Sequence, residues 1–338
     1  MSQTFTTDVA IIGAGPVGLF AIFECGMLRL KCHVIDALDT VGGQCAALYP
    51  EKPIYDIPGY PHIDAADLIE KLQAQAAPFG PTYHLNQQVT ALLPTDDGGW
   101  RVETSLGNSI TARCVIIAAG VGAFGPNRPP LDGLEAYEGK SVFYLVKKRQ
   151  DFAGKRVVIA GGGDSAVDWA VSLAEVAASV AVVHRRDKFR AAPDMVARMQ
   201  ELSKSGKIEL VTPYQLAGLE GADGMLSGVV VETLDGDKRT LPADAMLAFF
   251  GLSMNLGPVA EWGLDLDKHH IAVEQSTCAT SRAGIFAIGD VATYKNKLKL
   301  ILTGFAEAAS AAHAIHPIAR PGEVLHFEYS TTKGAPSA

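Results

Sequence analysis

No two cysteines in this chain are spaced as C-x-x-C. The five that exist, at positions 25, 32, 45, 114 and 278, follow no metal-ligand pattern. Their spacing argues against a zinc site and against an internal redox dithiol. Aromatic residues make up only 7% of the sequence, the net charge is -8, and there is no basic tract interleaved with aromatics. Nucleic acid is therefore not an expected partner. Long apolar runs are missing too: residues 170 to 184 are interrupted by Ser172, Glu175 and Ser179, short of the ~18 uninterrupted residues of a spanning helix. A mean hydropathy of +0.15 is thus read as core rather than membrane. The first residues carry no basic segment ahead of an apolar one, so the expected location is cytoplasmic.

What the chain does have is two glycine-rich loops. They read Gly13-Ala14-Gly15-Pro16-Val17-Gly18 and Gly161-Gly162-Gly163-Asp164-Ser165-Ala166, each after an apolar strand pattern and before an apolar helical one. In such a loop the first glycine allows a tight turn and the second lets the backbone approach a pyrophosphate. The third position, Gly18 or Ala166, lets helix and strand pack closely. The pyrophosphate then rests on the helix N-terminus, where free N–H groups and the positive dipole end favour an anion. Two such loops imply two dinucleotides, with Gly13, Gly15 and Gly18 at one and Gly161, Gly163 and Ser165 at the other.

The end of the next strand discriminates between dinucleotides. After the first loop, Cys32-His33-Val34-Ile35-Asp36 closes on an acid about 20 residues on, placed to bind ribose hydroxyls and to repel a 2′-phosphate. After the second, Val180 to Val183 run into His184-Arg185-Arg186, with Lys188 and Arg190 beyond. Guanidinium groups match a phosphate dianion, so the second site is expected to take NADP(H).

At 338 residues the chain is about two domains long. Its halves repeat: strand, glycine loop, helix, strand, then a meander with a turn at Asp97-Gly98-Gly99 or Asp235-Gly236, then a closing strand over Val115 to Gly120 or Met246 to Gly251. After Gly251 the chain continues through Ile285-Phe286-Ala287-Ile288-Gly289-Asp290 and a small-residue helix, Gly304 to Ile315. That segment reads as a returning part of the first repeat. The expected fold is α/β: two Rossmann-like three-layer nucleotide-binding domains, the NADP domain of the second loop (121–251) inserted into the domain of the first loop (1–120 and 252–338). Crossovers are expected near 118–125 and 249–255, and their glycines fit hinges as well as ordinary strand ends.

These residues resemble the low-molecular-weight thioredoxin reductase group of flavoproteins. The paired loops, His184-Arg185-Arg186 and the Phe286-to-Asp290 segment carry the likeness over nearly the whole chain. By that resemblance the first loop holds FAD, with Asp36 on the adenosine ribose and Asp290 beside the ribityl-pyrophosphate region. The departure falls where thioredoxin reductases keep their dithiol: Leu145 to Phe152 and Gly161 to Ala166 contain no cysteine. Gly42-Gly43-Gln44-Cys45 resembles the redox helix of disulfide reductases, yet the partner position is Pro50.

A narrower likeness is to the ferredoxin-NADP reductases of the thioredoxin-reductase type, carried by Gly42 to Gly59 and by the tail Phe327-Glu328-Tyr329-Ser330-Thr331-Thr332. It implies that Gln44 and Tyr49 contact the flavin, Tyr49 by stacking, and that Val89 lies near the adenine by its backbone. Phe124 would approach the cofactor at the crossover, while Tyr329 or Phe327 would stack on the other ring face from across a homodimer. Ser330 would bond near the flavin N5 and Thr331 would bind FAD. The implied activity is electron transfer between NADPH and ferredoxin. Reduction of quinone, oxygen or a separate disulfide protein, and a non-catalytic nucleotide sensor, remain rival readings of the same residues. Ferredoxins are acidic, so the basic clusters Lys147-Lys148-Arg149 and Lys295, Lys297, Lys299 are candidate docking charges.

Overall fold

Alternation along the first strand builds the first sheet. The computed structural model of the protein describes residues 2–325. In Thr4–Ile12, Val9 and Ile11 belong to one apolar core while Ala10 and Ile12 belong to another, as the two-residue period of a strand requires. The first core is closed by three helices through Leu19 and Ile22, Leu68 and Leu72, and Ala308 and Ile315. The second is closed by Leu92, Trp100 and Trp262.

The described residues fall into two compact units, 2–124 with 254–325, and Gly125–Ser253. In the first unit Thr82–His84, Cys32–Ile35, Thr4–Ile12 and Ser109–Ile117 lie side by side and parallel. The far edge of Ser109–Ile117 is shared. Trp100–Thr104 pairs antiparallel with its first half, and the returning strand Ile285–Ala287 pairs parallel with its second half. In the second unit a parallel sheet runs Val142–Phe143, Ala245–Ala248, Arg156–Ala160, Ser179–Val183, Ile208–Val211. A three-stranded antiparallel sheet of Gln215–Ala222, Met225–Glu232 and Lys238–Pro242 stands with it.

Two boundaries differ from the sequence reading. The closing strands are Ser109–Ile117 and Ala245–Ala248, so Ala118 to Gly120 leave the sheet, Gly120 with φ +60°. The last helix is Ile301–Ala319 rather than Gly304 to Ile315. Its extra turns are the apolar Ile301 and Leu302 at one end and a last turn that accommodates Pro317 at the other.

Candidate functional site

A cavity of about 450 Å³ opens at the C-terminal ends of the parallel strands in the first unit. Gly13, Gly15, Asp36, Gln44, Tyr49, Val89 and Asp290 all line it. The loop's glycines are demanded by distance. A Cβ on Gly13, which has φ +111°, would stand 2.3 Å from the Ala118 carbonyl oxygen, and one on Gly18 would stand 2.0 Å from the Gly13 carbonyl oxygen. At Gly15 a Cβ would meet nothing within 4 Å. It would instead occupy the cavity. Helix Pro16–Met27 starts there with no side-chain cap on its N-terminus, which leaves that end to a ligand's anion.

Asp36 is held from both oxygens. Oδ2 accepts the Ala14 N–H at 2.6 Å and Oδ1 the Leu38 N–H at 2.8 Å. Each oxygen keeps a second lone-pair direction for a ribose hydroxyl. Burial pushes its carboxyl upward, and the backbone donors at Ala14 and Leu38 oppose that shift. Gln44 sits in helix Gly43–Ala47, which follows the left-handed Gly42 (φ +113°) and Gly43 (φ +55°). Tyr49 packs against the helix-side core and shares a hydrogen bond with the Cys45 thiol. Burial holds its hydroxyl above the usual tyrosine range. Asp290 belongs to the short turn Gly289–Val291 that ends the returning strand. These elements fit an extended dinucleotide: an uncapped helix end, an open glycine cradle, and a carboxylate at the far strand.

Cys45 is 2% exposed and burial pushes its thiol up to about 11. All five cysteines are free and buried. A buried, protonated thiol is a poor nucleophile. Cys45→Ser is therefore expected to change electron transfer to an external acceptor by less than tenfold in kcat/KM, about 1.4 kcal/mol of barrier. Steady-state assay of the variant checks this, and a larger loss would restore a role for the thiol.

The second unit has its own cavity, of about 600 Å³, lined by Gly161, Gly163, His184, Arg185, Arg186 and Arg190 among others. The His184 ring lies directly over Gly162, where a Cβ would come within 2.3 Å of it. Two hydrogen bonds tie the basic segment to the loop. The Arg190 N–H donates to the Gly162 carbonyl at 2.7 Å, and the Ala192 N–H to Asp164 Oδ1 at 2.9 Å. Burial, then Arg185, Arg186 and Arg190, hold the His184 pKa below its ordinary value. Arg185, Arg186 and Arg190 supply the positive charge that lines this cavity.

Not every expected residue reaches a cavity wall. Gly18 acts one layer behind the first cavity by admitting the helix, and Ser165 is exposed on the first turn of helix Asp164–Leu173. Phe124 falls in strand Ala123–Pro126 at the limit of the first unit. Phe327, Tyr329, Ser330 and Thr331 lie outside the described residues. The docking charges need one correction: the side chain of Lys297 is only 3% exposed and is paired with Glu307, so it cannot meet a partner. Lys295 and Lys299 are exposed, Lys299 touching His270, as are Lys147 and Lys148, while Arg149 pairs with Glu175. Gln87 and Gln88 also line the first cavity, which sequence reading missed because nothing distinguishes them from surface glutamines. Among the described residues no cluster of three or more His, Cys, Asp or Glu could hold a metal, and no helix is long and apolar enough to cross a membrane.

Two glycine cradles, one closed by an acid and one by arginines, define a two-dinucleotide flavoprotein oxidoreductase, and the chain belongs to the pyridine nucleotide-disulphide oxidoreductase family, whose pattern matches residues 7–312. Within it the chain is similar to a named activity. It is 64% identical to the ferredoxin–NADP reductase of Paramagnetospirillum magneticum over 98% of both chains, and 61% identical to that of Rhodospirillum rubrum over 99% of both. Lactococcus lactis thioredoxin reductase, in the FR conformation, matches the fold with a TM-score of 0.79 at 25% identity, covering 93% of this chain and 99% of that one. The resemblance drawn from the loops and the Gly42-to-Gly59 segment is borne out.

Proposed function

We propose that this chain transfers electrons between NADPH and ferredoxin, holding FAD in the first unit and NADP(H) in the second. One observation carries the reading: both cradles are formed, yet every cysteine is buried and free, so electrons received inside must leave to a separate acceptor. When bound, FAD supplies the exchange between a two-electron hydride donor and a one-electron iron–sulfur acceptor.

The chain's own residues bind and orient. Gly13 to Gly18 and the uncapped helix end receive the pyrophosphate of FAD, Asp36 its adenosine ribose, and Asp290 its ribityl-pyrophosphate region. Val89 lines the adenine end by its backbone. Tyr49 offers a ring that its packing keeps in place, with Gln44 beside it and Phe124 near the crossover. Gly161, Gly163 and Ser165 open the helix that receives NADP(H), while His184, Arg185, Arg186 and Arg190 hold its 2′-phosphate. No proton-transferring constellation is needed, because hydride movement is set by position. A cytoplasmic homodimer whose tail residues Tyr329, Ser330 and Thr331 complete the partner's flavin site belongs to the same reading.

The test is anaerobic stopped flow. The purified chain should carry about one FAD, lose its yellow colour on mixing with NADPH, and regain it faster with ferredoxin than with quinone or oxygen. Faster return with quinone or oxygen would favour a general flavin reductase. No bleaching by NADPH would make the chain a nucleotide sensor.

A further inference from the structure

Beneath the Asp290 turn lies an ion pair with no part in the chemistry above. Lys297 Nζ stands 2.5 Å from Glu307 Oε1, with side chains 3% and 5% exposed. Burying two charges costs desolvation that their attraction scarcely repays, and an apolar pair of similar volume would serve stability as well or better. What the pair touches is therefore more telling than that it exists.

It grips one residue from both sides. Glu307 Oε2 accepts the Gly289 N–H at 2.7 Å, and Lys297 Nζ donates to the Gly289 carbonyl oxygen at 2.7 Å. The Tyr294 hydroxyl donates to Glu307 Oε1 at 2.8 Å and fixes the carboxylate. Gly289 has φ +72°, a conformation that a glycine reaches freely and leaves as freely. Fixing its N–H and its C=O removes that freedom. The next residue is Asp290, and Gly289 and Asp290 both line the first cavity.

Delivery of Glu307 is also built in. Helix Ile301–Ala319 comes so close to helix Pro16–Met27 that a Cβ on Gly304 would stand 2.4 Å from Val17 Cγ2. Glu307 is three residues on, on the same helix face, so the contact that seats the helix also seats the carboxylate. Val17 touches the Gly289 side of the turn as well, 3.5 Å from where its Cβ would be.

We infer that Lys297 and Glu307 are positioning residues which lock Gly289 and thereby hold Asp290 toward bound FAD. The inference rests on the assignment of FAD to the first cavity. It is tested in the full chain by Lys297→Met with Glu307→Leu, which removes both charges together, alone and combined with Asp290→Asn. The readouts are the FAD dissociation constant of the apoprotein and its melting temperature without FAD.

The expected result is about tenfold weaker FAD binding for the paired substitution, a similar loss for Asp290→Asn, and little further loss when the two are combined, because they act on the same contact. The apoprotein's melting temperature should stay within a few degrees of the parent's. Unchanged FAD affinity, or losses that multiply in full, would overturn the inference. Should the paired variant fail to fold, Tyr294→Phe removes a single hydrogen bond and should give about a threefold loss with the same dependence on Asp290. Independence there would overturn it equally. If the parent chain itself binds no FAD, the proposed function fails, and that is seen before any variant is made.

Discussion

Gly18→Ala should weaken FAD binding by at least a hundredfold, about 2.7 kcal/mol. The new methyl carbon would lie 2.0 Å from the Gly13 carbonyl oxygen and 3.1 Å from its carbon, and neither atom can yield. Gly13 donates its N–H to Ile35 at 2.8 Å and has the Ala118 carbonyl against its other side. The start of helix Pro16–Met27 would have to back away from the strand, taking with it the N–H groups that receive the pyrophosphate. Overpacking ordinarily costs about 1–3 kcal/mol, and here the obstacle is backbone. The second loop supplies an internal comparison, since it carries the fully buried Ala166 at the same place. Flavin content after purification and FAD titration check the prediction. Retention of FAD at parental affinity would mean that the helix can slide without loss.

A second large effect is expected from Arg185→Ala with Arg186→Ala. Both arginines line the second cavity, and none of the hydrogen bonds or ion pairs among the described residues engages either guanidinium with a carboxylate. Each charge-assisted hydrogen bond to phosphate is worth roughly 1.5–3 kcal/mol. The pair should therefore raise KM for NADPH by a hundredfold or more while leaving NADH nearly as it was, erasing most of the preference between them. Steady-state kinetics with both coenzymes decides it. If the unmutated enzyme uses both equally, the second strand end does not read the 2′-phosphate.

Much of the site was legible because its logic is local. A glycine required by a turn, and an acid or arginine required at the next strand end, lie within one strand-loop-helix-strand unit, so Gly13, Gly15, Asp36, His184 and Arg185 could be placed from spacing alone. What escaped depends on distant segments meeting. Lys297 looks like one of three alternating surface lysines, and only the fold reveals that Glu307 comes to cover it. Strand ends were overrun at Gly120 and Gly251 because an apolar run does not announce where its neighbours stop pairing.

The divided edge of Ser109–Ile117 bears on how the chain is made. One half of that edge is filled by Trp100–Thr104, already synthesised, but the other waits for Ile285–Ala287. At about 5–20 residues per second, the gap lasts on the order of ten to thirty seconds on the ribosome. Everything needed for the parallel sheet of Gly125–Ser253 emerges within that interval. The later unit in sequence can thus be complete before the earlier one. Meanwhile Val115 to Ile117 present unpaired backbone beside apolar side chains, the kind of open edge that invites another strand. A chain interrupted before residue 285 would keep that edge open for good, so translation stalls and nonsense changes between about residues 118 and 285 carry an aggregation hazard that those beyond Ala287 do not.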